Sequence, residues 1–330
     1  MNGNGNSLSN KVTGFTEYTN FILNFVMSCF MFLTKIERRE NLTTEEFRET
    51  YIKNNRPVII TDGMRDWNAK VSWNPEYLLN NYGEEEVQLY DDLFNLIDIV
   101  LLKDYLYKYF NKENKNPTNE KIIPYIRWYT RLKDCNFVWS DHFFNAVKGY
   151  WKRPYFLPDN NYLLPYDNIK EKLDPSVDMF PAKGIFISGK GAKTRLHYDP
   201  WCSDAILCQI YGAKKVTLYH PSKKRFLCKE GEMIDIDNPD YQKFTNFSKV
   251  EPDFVDFLYP GEIILFPNNW LHHVLTVEDS ISITWNFVHI STWKSFFNYI
   301  TNNPNAQELE VIKFFLNSNE EQKVEKIVVI

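Results

Sequence analysis

Apolar and polar side chains alternate with period two along three central stretches: Gly184-Ile-Phe-Ile-Ser188, Lys214-Lys-Val-Thr-Leu-Tyr219 and Ile281-Ser-Ile-Thr-Trp-Asn286. Successive side chains of a strand point to opposite faces, so this alternation, bounded by Gly, Pro and Asn, predicts antiparallel β-structure. Arg56-Pro-Val-Ile-Ile-Thr-Asp62 predicts a further short strand, because a β-branched run is closed by turn formers. Helical spacing flanks these strands. Leu42 to Tyr51 opens with Thr43 three residues before Glu46, a capping pattern. Trp67, Trp73 and Tyr77 fall in helical turns after the first strand, and Asn303 to Val328 sets Leu309, Ile312, Phe315 and Leu316 on one stripe behind Pro304. The pattern as a whole predicts a mainly β fold with helices at both ends.

The segments outside that pattern set the boundaries. Residues 1–13 are rich in Asn, Gly and Ser and predict a disordered tail; 14–35 predict a hydrophobic helix built on Phe21 to Leu33. That apolar run is 13 residues long and contains Asn24, against roughly 20 residues for a bilayer span. A helix packed on the protein, or a homodimer through the terminal helices, is therefore expected, with membrane association of residues 19–34 as the alternative. Residues 36–150 read as an N-terminal α/β accessory region with a surface loop at Asn111 to Lys121, 151–290 as the strand-rich domain and 291–330 as a C-terminal helical region. Five scattered cysteines without a C-x-x-C pair read as reduced thiols, which suits the cytoplasm or nucleus; a membrane-anchored location is the lesser alternative. A net charge of -5 argues against non-specific binding to a nucleic-acid backbone.

The candidate chemistry lies in Thr194-Arg-Leu-His197-Tyr-Asp199 and Pro267-Asn-Asn-Trp-Leu-His272-His273. On an extended strand His197 and Asp199 share a face while Tyr198 points away. One more imidazole from His272 or His273 would complete two histidines and one carboxylate. This donor set leaves positions of a six-coordinate Fe(II) open, as non-haem oxygenases require. His142, His220 and His289 lack such spacing and read as structural.

Four motifs occur in order: T-x-x-H-x-D at Thr194 to Asp199, G-x-K at Gly212 to Lys214, Pro260-Gly-Glu-Ile-Ile-Leu-Phe-Pro267 followed by Trp270-Leu-His272, and a strand ending in Asn286-Phe287. In order and spacing the chain here resembles the JmjC family of the cupin superfamily, from about Phe180 to Val288 and more loosely from Ile36. The resemblance implies a double-stranded β-helix, the jelly-roll barrel of cupins, with α-helical additions at both termini. It implies His197, Asp199 and His272 as metal ligands and catalytic centre, with His273 facing the other way. It also implies Fe(II), 2-oxoglutarate as cosubstrate, and dioxygen. Lys214 and Thr194 would meet the distal carboxylate of 2-oxoglutarate, and Asn286 and Tyr125 would point into the same cavity. Two departures stand out: Ala205 occupies a position where many relatives carry asparagine, and Arg195-Leu196 replaces a proline-containing approach to the first ligand.

The implied chemistry is oxidative decarboxylation of 2-oxoglutarate to succinate with hydroxylation of a C–H bond, which on an N-methyl group leads to demethylation. The chain carries no zinc-finger spacing or reader module, so a protein side chain is the expected substrate. Ile234 to Phe244 is similar to an insert of small hydroxylases in the family, including one acting on wybutosine in transfer RNA, which makes RNA the alternative. A histone lysine demethylase and a non-catalytic binding protein of the same fold are the remaining readings.

Overall fold

The computed structural model describes residues 34–110, 122–129, 146–164 and 184–304. The tail, the run Phe21 to Leu33, the loop Asn111 to Lys121, His142 and nearly all of the stripe expected from Asn303 onward lie outside them.

Two sheets carry the fold. The larger runs in spatial order Arg38–Arg39 (β1), Val58–Ile60 (β2), Ile263–Phe266 (β14), Asp204–Tyr211 (β9), Ser280–His289 (β16), Gly184–Ser188 (β7), Tyr125–Tyr129 (β5), Glu86–Tyr90 (β3) and Leu96–Leu101 (β4), with Tyr162–Leu164 (β6) also paired to β16. The smaller runs Phe254–Leu258 (β13), Lys214–Tyr219 (β10), Leu271–Thr276 (β15) and Lys193–His197 (β8). A short hairpin joins Cys228–Lys229 (β11) to Glu232–Met233 (β12). This is the jelly-roll arrangement; among the described residues the two sheets do not close into one hydrogen-bonded barrel.

Alternation explains the layers. Along β9, Ile206, Cys208 and Ile210 join Ile281, Ile283, Trp285 and Phe287 of β16 in one core, against Phe47, Tyr51, Leu78, Leu102 and Tyr105 from the helical segments. The intervening Ala205 and Leu207 turn the other way and meet Val216, Leu218, Leu258 and Val274 of the smaller sheet. At β9 and β16 both faces of the larger sheet are thus packed, each fully buried aliphatic side chain contributing ~1.5–3 kcal/mol. The outer face of the smaller sheet is covered by the segment following β10, where Leu227, Ile234 and Phe244 pack on Leu196, Tyr219 and Leu271.

The flanking helices are Pro75–Tyr82, Leu102–Tyr109 and Trp293–Asn302. The expected cap at Thr43 forms on one side only: its side chain accepts from the Glu46 N–H at 3.1 Å, while the Glu46 carboxylate turns to Arg39 at 2.5 Å. After Thr44–Glu46 the backbone widens to a π-helix over Phe47–Ile52, which turns Phe47, Tyr51 and Ile52 into the core.

Candidate metal centre

His197 ends β8 and stands directly opposite His272 on β15. Their rings lie 4.2 Å apart between centroids, and His272 is stacked on Phe266 at 4.3 Å. Nδ1 of His197 lies 2.8 Å from the Arg195 carbonyl oxygen, and Nδ1 of His272 lies 3.1 Å from that of Trp270. A carbonyl can only accept, so both Nδ1 atoms carry a proton, and Nε2 is the nitrogen of each ring left for a metal. Burial, and then the neighbouring His272, hold the His197 pKa well below its usual value, keeping that imidazole neutral. Asp199 follows in extended backbone, with Oδ2 3.6 Å from His272 Nε2. One donor atom from each of His197, Asp199 and His272 lies within 4.8 Å of the others.

The adjacent His273 goes elsewhere. It points to the outer face, with Nε2 3.7 Å from Asp237, and takes no part in the cluster. Tyr198 is not wholly turned away as alternation suggested: it borders the cavity, with Lys224 Nζ 3.9 Å from its ring. Beyond Asp199 the strand is broken by Trp201 and Cys202, whose φ values are 61° and 48°. Left-handed backbone at such residues costs on the order of 1–3 kcal/mol each, a strain typical of functional sites.

The three donors open into a cavity of about 490 Å³ between the sheets, and Thr194, Lys214, Asn286 and Tyr125 line it too. Thr194 and His197 are three residues apart, so a regular strand would place them on opposite faces. A register shift resolves this: His197 pairs with His272 but Thr194 with Val274, and both point inward. Lys214 is fully buried, its Nζ 3.1 Å from Ser188 Oγ and 3.4 Å from both Tyr125 Oη and Thr276 Oγ1. Burial lowers the lysine pKa, with Tyr125 acting against it. For Tyr125, burial opposes ionisation, but the Lys214 cation, the Thr276 bond and Arg127 outweigh it and bring the phenol below its ordinary value. Asn286 sits across the ladder from Ala205 and donates to Ser203 Oγ at 3.0 Å. The position of the missing asparagine is thus filled by a methyl group in the cavity wall.

Several cavity residues carry no spacing signal in the sequence. Ser188 and Thr276 complete the hydroxyl shell of Lys214, and Tyr90, Phe94 and Phe186 form an aromatic wall. Behind that wall Arg127 is buried, donates to Thr194 Oγ1 at 3.2 Å and stacks 3.6 Å from the Phe94 ring centre. Its place two residues after Tyr125, on the same face of β5, was the available clue. His220 and His289 accept from backbone N–H groups of Ser222 and Ser291, a structural use.

The profile of the family described as "Cupin-like domain" matches residues 43–292. The chain belongs to the cupin-like domain family. Within it, this cupin-like chain is 27% identical over 270 residues to the arginine-specific demethylase JMJ20 of Arabidopsis thaliana, covering 76% of this chain and 56% of that protein. It is 23% identical over 262 residues to the tRNA wybutosine-synthesizing protein 5 of Gallus gallus, covering 76% of each. A third relative, the 2-oxoglutarate and iron-dependent oxygenase JMJD4 of Gallus gallus, is 25% identical over 281 residues, covering 77% of this chain and 60% of that protein. The chain thus spans little more than half the length of the first and third of these relatives. No helix among the described residues is long and apolar enough to cross a membrane.

The donor set fits iron, the metal in the third relative's name. Two imidazoles and one carboxylate on one side of a site suit a divalent first-row ion, and the carbonyl bonds behind both rings leave Nε2 of each to face it.

Proposed function

We propose that this chain is an Fe(II)- and 2-oxoglutarate-dependent oxygenase that hydroxylates a protein side chain. The observation that carries the reading is Lys214: a fully buried cation facing the same cavity as His197, Asp199 and His272, hydrogen-bonded only to hydroxyls. No carboxylate pairs with it among the described residues, and a buried charge without a counter-charge is costly. An anionic ligand between the metal end and the lysine end would supply that counter-charge.

In this reading His197, Asp199 and His272 hold the metal, which supplies dioxygen activation when bound. Lys214, with Thr194 and Tyr125 beside it, holds the far carboxylate of 2-oxoglutarate. Asn286 orients the ligand from the larger sheet. Tyr90, Phe94 and Phe186 give one wall of the cavity an aromatic lining that disfavours water beside the site.

A second reading, an RNA-modifying hydroxylase, is favoured by the even coverage of both chains against the wybutosine-synthesizing relative. Anaerobic titration with Fe(II) and then 2-oxoglutarate tests the oxygenase reading first, and should give one iron and one cosubstrate per chain. Failure of both would leave a binding protein of the same fold. Aerobic succinate release stimulated by a peptide fraction of a cell extract, and not by its RNA fraction, would favour the protein substrate; the reverse would favour RNA.

A further inference from the structure

The hairpin β3–β4 ends the larger sheet, and β4 pairs only with β3, so its outer edge has no ladder partner among the described residues. An open edge is a template for another strand, and proteins usually blunt it with charge, proline or a covering element. Here, Asp98 apart, the edge strand is apolar. Leu93, Leu96, Ile97 and Ile99 are 40% to 53% exposed, and no proline interrupts Tyr90 to Leu101.

This apolar edge leads to the cavity. Phe94 occupies the turn with φ 69° and lines the cavity, its ring 4.9 Å from that of His197. The turn is fixed in place: Asp91 Oδ1 accepts from the N–H groups of Leu93 at 2.8 Å and Asn95 at 2.9 Å, and the Asp92 carbonyl accepts from the Arg195 N–H of β8 at 3.0 Å. A strand added to β4 would therefore begin within two residues of Phe94, a residue of the cavity lining.

Charge selects the occupant. From Glu84 to Lys108 the chain carries seven carboxylates and two lysines, and Asp98 and Asp104, with Lys108 as the one cation beside them among the described residues, line a groove of about 300 Å³ with Ile97 and Val100. A phosphate backbone is repelled by such a surface, whereas an extended polypeptide with basic side chains is attracted to it. We propose that β4 recruits an extended polypeptide, apolar residues alternating with basic ones, as an added edge strand that delivers one side chain past Phe94 into the cavity. The inference deepens the oxygenase reading and rests on it for the meaning of the delivered side chain, but not for the docking itself.

Amide hydrogen exchange on the full chain tests it, with a short capped peptide of alternating lysine and valine as probe. Amides of Leu96 to Leu101 should slow by about tenfold or more when the peptide is added. The same peptide methylated on its backbone nitrogens should give no slowing, because it cannot pair with an edge. An I97K/I99K variant, altered only at exposed positions, should bind the unmethylated peptide about tenfold more weakly, because it removes apolar contact and repels the probe's lysines. The proposal is overturned if the peptide protects other segments but not β4, or if an oligoribonucleotide protects β4 and the peptide does not. It is also overturned if the β4 amides of the free protein already exchange as slowly as those of β3, which would mean that this chain or a second copy covers the edge. Iron and 2-oxoglutarate binding, measured separately on the unaltered protein, reports on the oxygenase reading alone.

Discussion

The two ends of the cavity are built on opposite electrostatic plans. At the metal end, two imidazoles are oriented by backbone carbonyls and one carboxylate stands beside them, a donor set suited to a cation. At the far end a single ammonium is sealed from water and solvated by three hydroxyls, so it waits for an anion. Neither end is satisfied by the protein alone, and a metal bridged by a dicarboxylate would complete both at once. On the oxygenase reading proposed above, the contrast means that one elongated anionic ligand serves both ends, rather than two independent ones.

The sharpest way to break the contrast is to remove Asp199, the one carboxylate of the donor cluster among the described residues. Asp199→Ala should lower iron affinity on the order of a hundredfold or more, since even outer partners of ligands are worth 10–100-fold. His273→Ala, on the outer face beside Asp237, should leave it within about threefold in the same anaerobic titration. An inverted result would reassign the third ligand.

At the opposite end, Lys214→Ala should weaken 2-oxoglutarate binding by about 2–4 kcal/mol, or roughly thirty- to a thousandfold, while iron still binds. Calorimetry with 2-oxoglutarate on the iron-loaded variant reads this directly; an unchanged affinity would place the anion elsewhere.

A buried carboxyl behind the metal end gives a pH-dependent contrast. Asp204 accepts from the Asn268 N–H at 2.9 Å, its Oδ2 has no hydrogen-bond partner among the described residues, and burial pushes its pKa up to about 7. The folded state therefore binds this proton more tightly than the unfolded chain, whose carboxyl titrates near 3.9. Stability from this group is complete below that lower value and is lost as pH rises through about 7. Asp204→Asn should raise the Tm on the order of 5 °C at pH 8 and leave it unchanged near pH 4. Thermal unfolding of both proteins across that range checks the sign. The smallest expected effect is at Thr194, where Thr194→Val should cost about 0.5–1.5 kcal/mol, a few- to tenfold, in 2-oxoglutarate affinity. A loss as large as that of Lys214→Ala would mean that Arg127, which Thr194 holds, matters more than the threonine itself.

The strand pattern and the donor residues were legible in the sequence because both are local. Period-two alternation placed β7, β10 and β16 within their observed spans, and the parity that sets His272 against His273 follows from the same alternation. Three things required the tertiary structure. The register shift between β8 and β15 brings Thr194 into phase with His197, and a bulge is defined by a partner strand some 75 residues away. The hydroxyl shell of Lys214 gathers Tyr125, Ser188 and Thr276 from three strands, and no spacing along the chain encodes that meeting. The open edge of β4 depends on what fails to pair with it, which is a property of the whole sheet. A sequence fixes which atoms can donate, accept or ionise and which face of its own strand each occupies; pairing between distant strands decides which of those faces meet around one cavity.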